Sequence, residues 1–337
     1  AMGLVTIPGL LGPLLGPSLG GWLVQVASWH WIFLINVPVG LVGLLASLRF
    51  MPHLRADSPP PLDMPGYLLL ALGMVALSLG LESLGQRWEL GLAWCAVGAA
   101  SLALYLAHAR RCQAPLFGPH LWRIASLRIG LWGNLLSRLG STSMPFLVPL
   151  LLQVGLGYSP LQAGLWLLPM VAAGMAVKTL AVPLVRRWGY RRVLVGNTLL
   201  VGVTMASFAL AAPSQPLWVH VVQLAVFGAV NSLQFTAMNT VTLKDLGHDM
   251  ASSGNSLLSM VQMVAMGMGV AAAGAVLAAF TDFFQPPGTA QTLQAFQATF
   301  ACMGLITVAS AGIFWQLSPQ DRSGTLAGAS VDAGDHG

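Results

Sequence analysis

Charge is what this sequence lacks. Only 7% of its 337 residues are Lys, Arg, Asp or Glu, against about 25% in an ordinary soluble domain. A water-soluble fold of this length could not cover its surface with so few charges. That excludes a soluble enzyme, a nucleic-acid-binding domain and a disordered chain. The net charge is +5, but the fifteen basic residues are spread along the chain and form no patch, so no nucleic-acid partner is expected. Cysteine is scarce as well. Cys95, Cys112 and Cys302 are odd in number, far apart and set in or beside apolar runs, a pattern that builds neither a disulfide framework nor a zinc site. The seven histidines show no metal-ligand spacing, so no metal is expected. Phosphate loops are missing too: Gly174 with Lys178-Thr179 lacks the glycine before the lysine, and Gly267-Met268-Gly269 follows no strand. No catalytic residues and no cofactor are expected, and any active transport must draw on an ion gradient.

What is present is hydrocarbon. Hydrophobic residues make up 56% of the chain and the mean hydropathy is +0.75. A spanning helix needs about 20 mostly apolar residues. Ten such runs occur, at roughly 4–26, 31–50, 66–85, 90–108, 129–153, 161–183, 193–212, 217–240, 253–280 and 295–317. They are apolar throughout rather than alternating, so they are not barrel strands. The expected fold is an all-α, polytopic membrane protein with the lipid bilayer as its main partner.

Basic residues orient the spans. With ten spans, twelve of the fifteen fall on one side, among them Arg110, Arg111, Arg186, Arg187, Arg191, Arg192 and Lys244, while Arg87 alone falls on the other. The first side is therefore expected in the cytoplasm, together with both chain ends. Arg138 and Lys178 are left inside spans. Pro8, Pro13 and Pro17 interrupt the first run, which has no basic flank. It does not read as a secretory signal; the expectation is a chain cut within a larger membrane protein. The tail 318–337, rich in Gly, Ser, Ala and Asp, is expected to be disordered and cytoplasmic.

Gly12, Gly16 and Gly20 recur every four residues, which puts them on one helix face where a neighbouring backbone can come close. Pro17 removes a backbone donor beside them. With Gly3 and Gly21 the spacing is G-x8-G-x3-G-P-x2-G-G, and Trp29-His30-Trp31-Ile32-Phe33-Leu34-Ile35-Asn36-Val37-Pro38-Val39-Gly40 follows. Together these resemble the antiporter signature and next-helix opening of the fourteen-helix drug:proton antiporters of the major facilitator superfamily. Leu151 to Pro160 with Ala163-Gly164 and Leu168-Pro169, Asn239-Thr240, Leu243-Lys244-Asp245 and Ala251 to Ser256 are similar to the same branch, so the likeness covers residues 1–317.

The resemblance implies a major-facilitator bundle in which the signature lies on the fifth helix, so that four upstream helices are absent. Residues 1–50 are then the last two helices of the first bundle. Residues 51–126 are a two-helix insert with its joins, and 127–317 a second bundle of six helices. The implied function is secondary active export of drugs or other small molecules against protons, by a monomer in the inner (cytoplasmic) membrane. Gly3, Gly12, Gly16, Pro17, Gly20 and Gly21 would form a close-packed hinge limiting proton leak. Arg186, Arg187, Gly189, Arg191 and Arg192 resemble a degenerate copy of the family's cytoplasmic-gate motif, with Arg186 where an acidic residue is usual. An ordinary basic cytoplasmic turn explains them as well. The glycine-rich ninth run, with Gly254, Gly267, Gly269 and Gly274, agrees with a repeat between bundles.

Polar residues inside the runs mark a candidate substrate cavity, because they avoid lipid and face partners or water. These are Asn134, Arg138 and Ser141 on one face of the fifth run, Lys178 in the sixth, and Asn231 and Gln234 in the eighth. Asn239, Asn255, Ser259 and Gln262 extend the pattern, and Met260, Met263 and Met266 form a stripe that reads as packing or as a soft ligand wall. No Asp or Glu lies deep in a run, so the proton-coupling carboxylate is expected on the absent helices. Two buried cations also suit an anionic cargo, which makes export of organic acids or metal-chelating anions an alternative. A non-transporting membrane sensor or scaffold is a further one. The topology predicts that single cysteines near Arg87 and Asp282 label from outside the cell, and those near Arg111, Arg187 and Lys244 only from inside. Labelling of a basic turn from outside would overturn the ten-span count.

Overall fold

The computed structural model describes residues 16, 19–50, 63–84, 87–112, 115–212, 215–284 and 288–317. Among them no strand occurs, and nine helices are long and apolar enough to cross a membrane. We number these α1 (His30–Phe50), α2 (Met64–Ser83), α3 (Trp88–Ala109), α4 (Ala125–Gly155), α5 (Pro160–Trp188), α6 (Tyr190–Leu210), α7 (Trp218–Leu243), α8 (Met250–Phe283) and α9 (Ala290–Phe314). They match nine of the ten expected runs. Of the first run, residues 19–26 are helical; Gly3, Gly12, Pro17 and the tail 318–337 lie outside the described residues.

Helices dominate because hydrocarbon offers no hydrogen-bond partner to a peptide group, so each segment must satisfy its own backbone. Prolines decide where the regularity fails. A proline in a helix deprives the carbonyl four residues earlier of its donor. In α4 the turn at Thr142-Ser143 comes directly after Ser141, whose carbonyl Pro145 cannot serve. In α5 the regular helix pauses at Leu167, between Leu165 and Pro169. It pauses again in a 3-10 turn at Lys178–Leu180, which contains the carbonyl that Pro183 leaves without a donor. α4 ends in a wide turn, Leu151–Gly155, where the Leu156 amide reaches the Leu151 carbonyl at 2.9 Å. α5 then starts on a capping box, with Gln162 N–H donating to Ser159 Oγ and Ser159 N–H to Gln162 Oε1. Both helices consequently run past the ends expected from hydropathy.

Lipid tails are as apolar as leucine, so close contact between backbones, rather than exclusion of water, holds such helices together. α6 packs on α9, α5 on α7, and α4 on both α8 and α9. At the α5–α7 crossing, a β-carbon on Gly228 would overlap the Met170 carbonyl, and one on Gly174 would stand 3.0 Å from the Gly228 carbonyl. The α6–α9 crossing repeats the device with Gly202 and Gly304. The largest core cluster fills the space among these helices, with Met144, Leu147, Met205, Phe208, Phe227 and Phe300 buried in it. α2 and α3 pack on each other, and α2 also touches α8. No residue of α1 is buried.

Two side-chain clamps fasten the segment that follows α3. Tyr105 Oη donates to the Phe117 carbonyl at 3.2 Å and accepts from the Phe117 amide at 2.8 Å. Asp63, just before α2, accepts from the Gly66 amide at 2.9 Å and the Leu116 amide at 3.4 Å.

Gly228→Ala is expected to cost about 1–3 kcal/mol, the usual range for overpacking, read as a lower unfolding temperature in detergent. Gly196→Ala, whose β-carbon meets nothing within 4 Å, should be neutral or stabilise by up to about 1 kcal/mol. Equal effects at the two positions would refute the close-contact account.

Candidate functional site

Polar residues on α4 and α7 face each other because the alternatives are lipid or an unpaired group in hydrocarbon. The result is a cavity of about 280 Å³ walled by α4, α7 and α8. Arg138, Ser141, Asn231 and Gln234, expected from sequence as cavity residues, all line it, joined by Ser137, Thr142, Phe235 and Met238. α8 contributes Met266 and Val270.

Among the described residues Arg138 is the one formal charge in that wall. Its Nε donates to Asn134 Oδ1 at 3.1 Å, and its guanidinium carbon stands 4.5 Å from the centre of the Phe235 ring. A guanidinium over a ring face gains from the ring's negative face, more so where water is thin. Nη2 is buried and has no hydrogen-bond partner among the described residues. The cation is thus held by an amide and a ring, with a donor to spare.

Asn134 is fully buried behind Arg138 rather than in the cavity wall. Its amide nitrogen donates to the Gly130 carbonyl at 2.9 Å and to Thr242 Oγ1 at 3.4 Å. Its oxygen accepts from Arg138 and, at 3.4 Å, from Gln262 on α8. Gln262 also donates to Asn239 Oδ1 at 2.8 Å. One buried asparagine therefore ties α4 to α7 and α8 and fixes the arginine. A second group lies behind Gln234. Asn197 donates to Gln234 Oε1 at 2.8 Å, and Gln234 donates to Thr198 Oγ1 at 2.6 Å.

The remaining expected residues lie apart. Lys178 is exposed at the 3-10 break of α5 and is not among the residues lining this cavity. Asn255 and Ser259 are exposed. The methionine stripe divides: Met266 lines the cavity, Met263 is exposed, and Met260 packs against the cluster around Leu70 and Tyr105. Gly21 meets the start of α5, where a β-carbon would stand 2.5 Å from the Pro160 carbonyl, whereas Gly16 and Gly20 have nothing within 4 Å. The turn from α5 to α6 carries Arg186, Arg187 and Arg192, exposed, around a buried Gly189 with φ of 79°. That left-handed value suits glycine at this tight reversal. Arg191 leans on Trp315, 5.1 Å from the ring centre.

Comparison with known proteins accounts for the arrangement. The family description Major Facilitator Superfamily matches residues 1–270. The chain belongs to the major facilitator superfamily. It is also 46% identical over 321 residues to proteins called "Putative multidrug resistance protein MdtD" from Salmonella paratyphi A, Klebsiella pneumoniae strain 342 and Salmonella typhimurium, covering 93% of this chain and 67% of each relative. A multi-pass transporter of this superfamily is what the nine apolar helices and the polar cavity build.

Sequence reasoning missed several residues of this transporter. Phe235 follows Gln234 directly, but an aromatic residue in an apolar run carries no signal of its own. Asn197 and Thr198 were polar interruptions of such a run and could have been found. A third group, Asp63, His108 and Cys112, offers ligand atoms within 4.8 Å of one another. His108 and Cys112 are four apart, one helical turn, but Asp63 is 45 residues from His108 and only folding brings it near. Burial alone would raise the Asp63 carboxyl. The hydrogen bond from His108 and the Gly66 and Leu116 amides outweigh burial and hold it below the usual carboxylate range.

Asn134→Leu should lower stability by about 1–2 kcal/mol, from hydrogen bonds worth about 0.6 kcal/mol each in membrane proteins. Asn134→Asp should retain most of it by keeping the acceptor for Arg138. Thermal unfolding in detergent distinguishes the two outcomes.

Proposed function

We propose that the transporter exports drugs or other small molecules across the inner (cytoplasmic) membrane, driven by protons and without a cofactor. The observation that carries this reading is the cavity built around Arg138, with polar groups on α4 and α7 and soft apolar ones on α8. Such a wall takes amphipathic solutes of varied shape, since methionine and aromatic side chains repack around different apolar bodies. The relatives' name, a putative multidrug resistance protein, agrees with it. Transport would proceed by rocking two halves about a site near mid-membrane. The Gly21–Pro160 contact would be one of the surfaces that move, and the Arg186–Arg192 turn would close the cytoplasmic side.

No carboxylate lines the cavity among the described residues. A proton-driven carrier needs a group that protonates on one side and releases on the other, usually Asp or Glu. We place it in the third of the relatives' length that this chain does not match. The same charge pattern favours a second reading, an anionic cargo, because the cavity offers a cation with a spare donor and no acid to neutralise it.

In the full-length transporter Arg138→Ala should remain membrane-inserted and lose export, with anionic substrates affected most. Arg138→Lys should keep part of it, retaining charge but losing the planar fork. Uptake into inverted vesicles, normalised to protein in the membrane, measures both. Parental rates for every substrate in the Arg138→Ala protein would place the site elsewhere.

A further inference from the structure

Asp63, His108 and Cys112 come from two separate parts of the chain. Asp63 precedes α2, His108 is on the last turn of α3, and Cys112 lies just beyond it. The Asp63 side chain is only 2% exposed, and its Oδ1 lies 2.7 Å from His108 Nε2. His108 and Cys112 are both half-buried. None of the three belongs to the transport cavity. The Asp–His bond and the amides satisfy the buried carboxylate. They leave unexplained the thiol held beside it, within 4.8 Å of both partners.

One sulfur, one imidazole nitrogen and one carboxylate oxygen form a mixed set of borderline softness. Calcium and magnesium take oxygen ligands, whereas zinc accepts all three types and leaves a fourth position to water when three protein ligands are present. We propose that Asp63, His108 and Cys112 form a zinc site that ties the start of α2 to the end of α3. Zinc takes the place of the proton between Asp63 Oδ1 and His108 Nε2, which passes through solvent to His108 Nδ1. The imidazole stays neutral, with its proton on Nδ1, and the Cys112 thiol releases its proton to solvent as the sulfur ligates. The amides of Gly66 and Leu116 already orient the carboxylate, as outer partners of metal ligands do.

The site sits at a mechanical junction. Leu116 bonds to Asp63, and its neighbour Phe117 packs both on the Leu70–Tyr105 cluster and on the one holding Leu121, Leu127 and Leu257. Metal binding at Asp63 therefore fastens the α2–α3 pair to the segment leading into α4. The site regulates how firmly that pair is attached, independently of the cavity.

The test uses the purified transporter in detergent, titrated with Co2+ as a spectroscopic probe and then with Zn2+. One equivalent of cobalt should give a thiolate-to-metal charge-transfer band with tetrahedral ligand-field absorption, and zinc should displace it. Cys112→Ser should abolish the band, while Cys95→Ser and Cys302→Ser should leave it unchanged. His108→Ala should weaken binding by more than about tenfold, the lower end of the loss seen on changing outer-shell partners alone. Zinc should raise the unfolding temperature of the parental protein and of Cys95→Ser, but not of Cys112→Ser. A parental protein with no cobalt band, or a Cys112→Ser protein that keeps it, would overturn the assignment.

Discussion

Hydrocarbon cannot hydrogen-bond, and the whole molecule follows from that constraint. It leaves the backbone no choice but helix between the interfaces. It also removes the drive that packs soluble cores, so helices adhere where glycines let one backbone touch another, as at Gly174 with Gly228 and Gly202 with Gly304. And it makes every polar side chain in a span seek a partner. Asn134, Gln234 and Arg138 find one another's neighbourhood for that reason, and a cavity is what remains between them.

The same constraint explains why so much of the fold was legible. A span declares itself by composition alone, without knowledge of its neighbours, so nine helices fall where hydropathy puts them. Their ends were less legible. The sixth run was read as ending at Pro183, yet Pro183, like Pro169 within the run, only interrupts α5.

The site was legible in part, and the division is physical. Residues that face a cavity because lipid rejects them, such as Arg138, Ser141 and Gln234, announce themselves as polar letters in apolar runs. Lys178 was such a letter too, yet it is exposed at a local break in α5 and lies outside the lining of this cavity. Phe235 was invisible for the opposite reason: it is apolar in an apolar run, and its role depends on the cation above it. Asp63, His108 and Cys112 depend on a contact across two helices, which composition does not encode.

The prolines divide the cavity wall into two kinds of material. α7 and α8 run without an internal proline, whereas α4, the third wall, is jointed. At each joint the missing amide leaves a carbonyl with no helical bond to lose, so flexing there forfeits nothing that the helix had made. Arg138 stands one turn before the joint of α4 and is anchored from behind by Asn134. The joint at Thr142-Ser143 lets α4 change direction beyond Arg138, so that one helix sends Met144, Leu147 and Leu151 into the main core while leaving its cation at the cavity.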